Sequence, residues 1–257
     1  MPFTLAHSAA ALPFRRFHLV TSALVIGTFA PDFEYFLRFA PDRRFGHTIV
    51  GTFELTLPVA LLVLWIFHAF VKRPAAGLMP DGVQRRLSPY LGHFRFRGPW
   101  RFLLIVMSVL LGIATHLLWD SFTHPGTWAY RRWGLFRQMV HTPLLGTVPY
   151  YKLFQYGSSV VGTAAVVVWL ALWYRTSARS AELPRGSVRP TRRVVIVAGI
   201  LAIALIGGLV RAILGADPWT VHFSRSRFAG QLVSTFIALV WWELVAYGLV
   251  CSRERSV

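Results

Sequence analysis

The chain has 257 residues, of which 55% are hydrophobic and only 14% charged, with mean hydropathy +0.51. That profile fits an integral membrane protein better than a water-soluble domain. A single cysteine, Cys251, excludes an intrachain disulfide and a thiolate zinc site, so any metal centre must draw on His, Asp, Glu and backbone oxygen. The lone thiol leaves the redox compartment open.

The net charge of +17 does not point to nucleic acid. The basic residues lie mostly in loops between apolar runs, where membrane topology and anionic headgroups account for them. No zinc-finger spacing or RNA-binding signature accompanies them, so no nucleic-acid partner is expected.

The first segment, MPFTLAHSAAALP, is apolar and helix-like, with His7 inside it. A lone His there is ordinarily structural. Leu19–Ala30 is an apolar run of twelve residues that stops at Pro31-Asp32. It is too short to span a bilayer, and it lacks the small-residue cleavage site of a signal peptide. A buried or interfacial helix is expected.

In GTFAPDFEYF, Gly27 and Pro31 punctuate the run before Asp32 and Glu34. Asp32 either caps a helix over Phe33–Phe39 or serves as a metal ligand held by the turn. FGHTIVG then places His47 just ahead of the next apolar run.

Five apolar runs approach the ~20 residues that a transmembrane helix needs. They are Phe53–Val71, Phe102–Trp119, Tyr156–Tyr174, Val194–Val210 and Phe228–Cys251. The expected fold is all-α: a multi-span integral membrane helical bundle with about five transmembrane helices plus short N-terminal helices. The Arg-, Ser- and Pro-rich stretch 175–193 reads as a basic linker loop. It separates a metal-site membrane domain, 1–174, from a C-terminal transmembrane helix pair, 194–257.

Basic residues are in modest excess in loops 72–101 and 175–193 and in the tail. This assigns them to the cytoplasm of a multi-pass protein of the cell membrane. The N-terminal region and loop 120–155 then face outward. His68 falls near the inner end of the first span, and Asp81 and His93 in a cytoplasmic loop. His7, Asp32, His47, His116 and Asp120 gather on the extracytoplasmic side.

THLLWDSFTHPG carries the densest chemistry. His116 and Asp120 are at i and i+4, so on a helix they share one face and can reach a single cation. His124 extends the stripe if the helix runs on to Pro125. A neutral imidazole and a carboxylate are ordinary ligands for zinc or another divalent transition metal. The bland alternative is a helix-end polar cluster of Asp120, Ser121 and Thr123, with His116 bonded to a backbone carbonyl. Ionisable groups at membrane depth are expensive unless paired or functional.

MPFTLAHSAA, GTFAPDFEYF, GHTIVGTFE and THLLWDSFTHPG resemble the bacterial membrane proteins of domain-of-unknown-function family 4184, over about the first 175 residues. A more distant similarity is to LexA-regulated membrane-bound metal-dependent hydrolases and to zinc-dependent phospholipases C with the related single-strand nucleases. The resemblance implies metal ligation by His7, Asp32, His47, His116, Asp120, His124 and His141, which fall in the order of the three-zinc cluster of the soluble enzymes. Those enzymes follow the last His with an acid four residues on. Leu145 stands at that position here, and their N-terminal ligand has no evident counterpart. A one- or two-metal site is therefore expected rather than a complete cluster.

The functional expectation is a membrane-bound metal-dependent hydrolase acting on a phosphoester or phospholipid at the membrane surface. Asp120 or Glu34 would act as base. Arg131 and Arg132 are either a phosphate contact or interfacial anchors beside Trp128 and Trp133. Two alternatives stand: a non-catalytic membrane protein with a structural His/Asp cluster, and a small transporter with a His/Asp ion relay. No repeated broken-helix pair favours the transporter. Substrate, metal number and oligomeric state are not legible.

Overall fold

The computed structural model describes residues 4–39, 45–143, 146–184, 186–216 and 224–253. Leu145, the N-terminal Met1 and the basic pair Arg43 and Arg44 lie outside the described residues. The chain is nearly all helical. Among the described residues, five helices are long and apolar enough to cross a membrane, compatible with a multi-pass membrane protein.

In chain order, a 3-10 segment, Thr4–Ala11, precedes the short helices α1 (Thr21–Phe29) and α2 (Phe33–Arg38). A first long helix, α3 (Ile49–Gly77), is followed by α4 (Asp81–Leu87), α5 (Pro99–Thr123) and α6 (Trp128–Arg132). Strands β1 (Met139–Thr142) and β2 (Gly146–Pro149) lead into α7 (Tyr150–Thr176), α8 (Pro190–Ala216) and α9 (Arg225–Arg253). Each apolar run lies inside one long helix, which extends several residues beyond it because interfacial turns continue the hydrogen bonding.

The chain forms two compact units whose segments alternate in sequence. The first comprises residues 1–32, 45–61 and 96–175; the second comprises 33–44, 62–95 and 176–257.

The first unit is organised by α1 lying against α5. Ser108, Gly112, His116 and Asp120 recur every fourth residue on α5, so they form one buried stripe. Ser108 Oγ accepts from the backbone N–H of Val20 at 3.0 Å, tying down the start of α1. Gly112 sits against the backbone of Leu24 and Gly27, and Gly27 against the carbonyl of Val109. A β-carbon at either glycine would collide with main chain, which cannot move aside as a side chain can. Small residues thus let two backbones meet, as in many membrane helix pairs.

Helix α3 contains two π turns, Thr52–Thr56 and Phe67–Val71. Each lies just ahead of a proline, Pro58 or Pro74. Proline removes one helical N–H and its ring clashes with the carbonyl four residues back; the wider turn relieves both. In the second unit the carbonyl affected by Pro74 is that of Phe70. Gly248 of α9 passes directly against it, where a β-carbon would not fit.

Also in that unit, α8 and α9 pack closely through glycines 207, 208 and 215, against Leu239, Leu232 and Gln231. The basic stretch after α7 is hydrogen-bonded to α4: the N–H of Ser180 donates to the Arg85 carbonyl at 3.1 Å. Arg193 pairs with Asp81 at 2.7 Å.

Two local features differ from the sequence expectation. Met139–Thr142 and Gly146–Pro149 pair as antiparallel strands with His141 opposite Thr147. The second strand begins at Gly146, whose φ of 68° lies in the region glycine tolerates. The strand pair was not anticipated, because four-residue strands carry too little alternation to register. In addition, α5 stops at Thr123 and does not run on to Pro125. Proline pushes the residue before it into extended conformation, and His124 has φ −131° and ψ 146°.

Gly112→Val should lower stability by about 2–3 kcal/mol, the scale of overpacking a close-packed interior. The check is thermal unfolding in a fixed detergent. Gly157→Val, at a glycine whose added β-carbon would meet nothing within 4 Å, serves as the control and should leave the midpoint nearly unchanged.

Candidate metal centre

Four separate stretches of the first unit deliver the centre. The Thr4–Ala11 segment brings His7, and the 3-10 turn Ala30–Asp32 at the end of α1 brings Asp32. The loop before α3 brings His47, and the last two turns of α5 bring His116 and Asp120. Relative exposures are 1% for His7, 3% for Asp32, 0% for His116 and 3% for Asp120, so the centre is closed on most sides.

The His47 loop is braced by threonines. Thr48 Oγ1 accepts from the Gly51 N–H at 2.9 Å and caps the start of α3. Thr56 Oγ1 donates to the carbonyl of Gly46 at 3.1 Å. The π turn before Pro58 sets Thr56 in that register, so a helix irregularity and the placement of His47 are linked.

The donor atoms face one another. His47 Nε2 lies 3.6 Å from Asp32 Oδ1 and 3.5 Å from Asp120 Oδ2. His116 Nε2 lies 3.7 Å from Asp32 Oδ1 and 3.4 Å from Asp120 Oδ2. The other Asp120 oxygen, Oδ1, is 3.5 Å from His7 Nε2 and 3.4 Å from His124 Nδ1. Asp120 is therefore shared between two sides of the cluster. One ligating atom from each of His7, Asp32 and His116 lies within 4.8 Å of the others, and the same holds for His47, His116 and Asp120.

The surroundings fix how these groups present themselves. His116 Nδ1 is 2.7 Å from the carbonyl of Thr28. A carbonyl can only accept, so Nδ1 carries a proton, and Nε2 is the ring atom turned toward the two carboxylates. Thr4 Oγ1 donates to Asp32 Oδ2 at 2.7 Å, which leaves Oδ1 for the cluster. The His7 ring stacks on that of His116 at 3.9 Å between centroids.

Burial, reinforced by His116, pushes the His7 imidazole down to about 3, so it is neutral and a potential ligand at ordinary pH. Burial alone would raise the Asp32 carboxyl. His116, His47 and the Thr4 hydroxyl outweigh it and hold the group below the usual carboxylate range.

These residues could hold a metal. Nitrogen–oxygen separations of 3.4–3.7 Å are longer than a charge-assisted hydrogen bond, normally about 2.7–2.9 Å. Ligands about 2.1 Å from a tetrahedral cation lie about 3.4 Å apart. The four nitrogen–oxygen edges lie at or slightly above that spacing. A His Nδ1 bonded to a backbone carbonyl is also the usual support for a metal-binding Nε2.

The remaining candidates are placed differently. His124 Nδ1 also meets Thr123 Oγ1 at 3.1 Å, and its Nε2 lies 3.4 Å from Gln155 Nε2 of α7. His141 stands exposed on β1, 3.3 Å from Thr147 Oγ1, and joins neither three-residue group. Glu34 belongs to the second unit, where its Oε1 accepts from Arg38 Nε at 3.0 Å. Sequence reasoning missed Thr4, Thr28, Thr56 and Gln155. A hydroxyl or carbonyl that braces a ligand has no spacing signature, although the four-residue recurrence of Ser108, Gly112, His116 and Asp120 was there to be read.

The fold and centre define a class: a helical protein with spans long enough for a membrane and a buried His/Asp cluster able to bind a cation. The chain matches the family described as Domain of unknown function (DUF4184) over residues 1–251 and belongs to that family. No curated protein and no solved structure matches it.

Purified protein should contain a tightly bound divalent metal, measured by elemental analysis. His116→Ala and Asp120→Ala should lose it, whereas His141→Ala should keep it. Thr4→Val, which removes only the brace on Asp32, should weaken metal affinity by about 10–100-fold.

Proposed function

We propose that the chain is a membrane-embedded metal-dependent hydrolase acting on a phosphoester or phospholipid at the membrane surface. Zinc or another divalent transition metal is its cofactor. The observation that carries this reading is the convergence of His47 Nε2 and His116 Nε2 on Asp32 Oδ1 and Asp120 Oδ2, with Thr28 fixing the His116 tautomer. Mixed imidazole and carboxylate donors suit zinc better than magnesium or calcium. The order of these residues also resembles the ligand order of zinc-dependent phospholipases C. The excess of basic residues in the loops at the opposite helix ends supports an extracytoplasmic centre in the cell membrane.

His47, His116 and Asp120, with Asp32 beside them, would hold a cation. When bound, such a cation supplies Lewis-acid polarisation of a phosphoryl oxygen and a lowered pKa for water. The chain's own residues do the rest. Asp120 Oδ1, between His7 Nε2 and His124 Nδ1, is the candidate proton acceptor. His47 and His124 have side chains 12% and 11% exposed, so the cluster opens on their side while His7 and His116 exclude water from the other. Thr4 and the Thr28 carbonyl hold Asp32 and His116 in place, so that little reorganisation accompanies binding.

A second reading has its own support. Four chain segments meet at the centre, and most of its ligand atoms are closed off, as in a structural metal site. The test is a panel of phosphodiester and phospholipid substrates with zinc-loaded protein. The hydrolase reading expects turnover that a chelator abolishes and that Asp120→Asn lowers at least about 100-fold. No hydrolysis of any substrate, together with a chelator-induced fall in melting temperature, would favour the structural reading.

A further inference from the structure

Between α5 and α7 the chain folds into a self-packed platform. Thr127 Oγ1 donates to the carbonyls of Ser121 at 2.6 Å and His124 at 2.8 Å, fixing the start of α6 to the end of α5. Phe136, 5% exposed, is its core. Phe122 and Phe154 meet it from α5 and α7, with centroids 6.1 and 5.3 Å away. Trp133 stacks on Phe122 at 5.8 Å. The platform is thus locked to both long helices beside Asp120 and His124, and Gln155, next to Phe154, touches His124.

Its outer surface combines two properties. Trp128 is 62% exposed, Met139 60%, Leu135 46% and Trp133 43%. Arg131, Arg132 and Arg137 are exposed among them. From Ser121 to Ala181 the chain has no acidic residue to neutralise these arginines. Both ends of the platform continue into helices long and apolar enough to span, so in a bilayer it lies at a membrane–water boundary. Exposed indole and aliphatic groups there insert at headgroup depth, and guanidinium groups beside them match phosphate geometry.

We propose that residues 127–139, braced by Phe122 and Phe154, form a collar that binds anionic phospholipid headgroups, with Arg131, Arg132 and Arg137 taking the phosphate charge and Trp128, Trp133 and Met139 resting in the upper acyl region. The bound lipid lies against the wall of the His/Asp centre. That this lipid supplies the phosphoester rests on the hydrolase reading above; the binding itself does not.

The test uses full-length protein in a neutral detergent, titrated separately with short-chain phosphatidylglycerol, phosphatidylcholine and inorganic phosphate. Bound lipid is counted by native mass spectrometry. Phosphatidylglycerol should bind about tenfold tighter than phosphatidylcholine, and inorganic phosphate should not compete at equal concentration. Combined Arg131→Gln, Arg132→Gln and Arg137→Gln should erase the preference. The three Arg→Lys changes should largely restore it, and Arg179→Gln with Arg189→Gln should leave it intact.

Asp120→Asn should also leave the preference intact, which separates a failed collar from a failed hydrolase. Equal binding of the two lipids by wild type, or a preference that survives the triple Gln variant, overturns the proposal. So does efficient competition by inorganic phosphate. If the triple variant does not fold, a photoactivatable phosphatidylglycerol on wild-type protein decides: crosslinks within 127–139 support the collar, and crosslinks only elsewhere overturn it.

Discussion

The contact of α1 with α5 through Gly27 and Gly112 governs the rest of the first unit. Because neither position carries a side chain, the two backbones meet, and the carbonyl of Thr28 comes within 2.7 Å of His116 Nδ1. The same approach sets Asp32, immediately beyond α1, opposite His116 and Asp120. A centre assembled from residues far apart in sequence therefore depends on the absence of two β-carbons one helical turn from its ligands. Ser108, one further turn back, secures the other end of the contact.

Electrostatics then sets what such an arrangement must contain. Two carboxylates, each 3% exposed, are held near one another in a unit rich in apolar helices. Removing an ion from water costs several kcal/mol even after relaxation, and like charges add to it. At Asp32 the nearby imidazoles and the Thr4 hydroxyl outweigh the cost of burial. His116, with its Nδ1 proton committed to the Thr28 carbonyl, presents Nε2 to the carboxylates, the atom that would ligate a cation. A cation held there would place positive charge between the two carboxylates.

How much of this was legible in the sequence varies with the range of the interaction. The long helices were legible because membrane spans are written as continuous apolar runs. The pairing of His116 with Asp120 was legible because a helix places i and i+4 together. Grouping His7, Asp32 and His47 with them required the expected topology and a distant resemblance in residue order, since no local spacing links them. The pairing of Met139–Thr142 with Gly146–Pro149, the end of α5 at Thr123 and the bracing by Thr4, Thr56 and Gln155 were not legible. Each depends on a non-local partner or on a backbone irregularity, such as the π turn before Pro58. His141 illustrates the converse: it fits the ligand order, yet the strand pairing sets it in solvent beside Thr147.

The central claim is that this buried cluster holds a cation, and X-ray absorption at the zinc edge of freshly purified protein tests it most directly. The account predicts a bound metal with nitrogen and oxygen ligands at about 2.0–2.1 Å and outer-shell scattering from imidazole rings. Folded protein with no transition metal, in which nitrogen NMR finds His116 protonated at both ring positions, would contradict it.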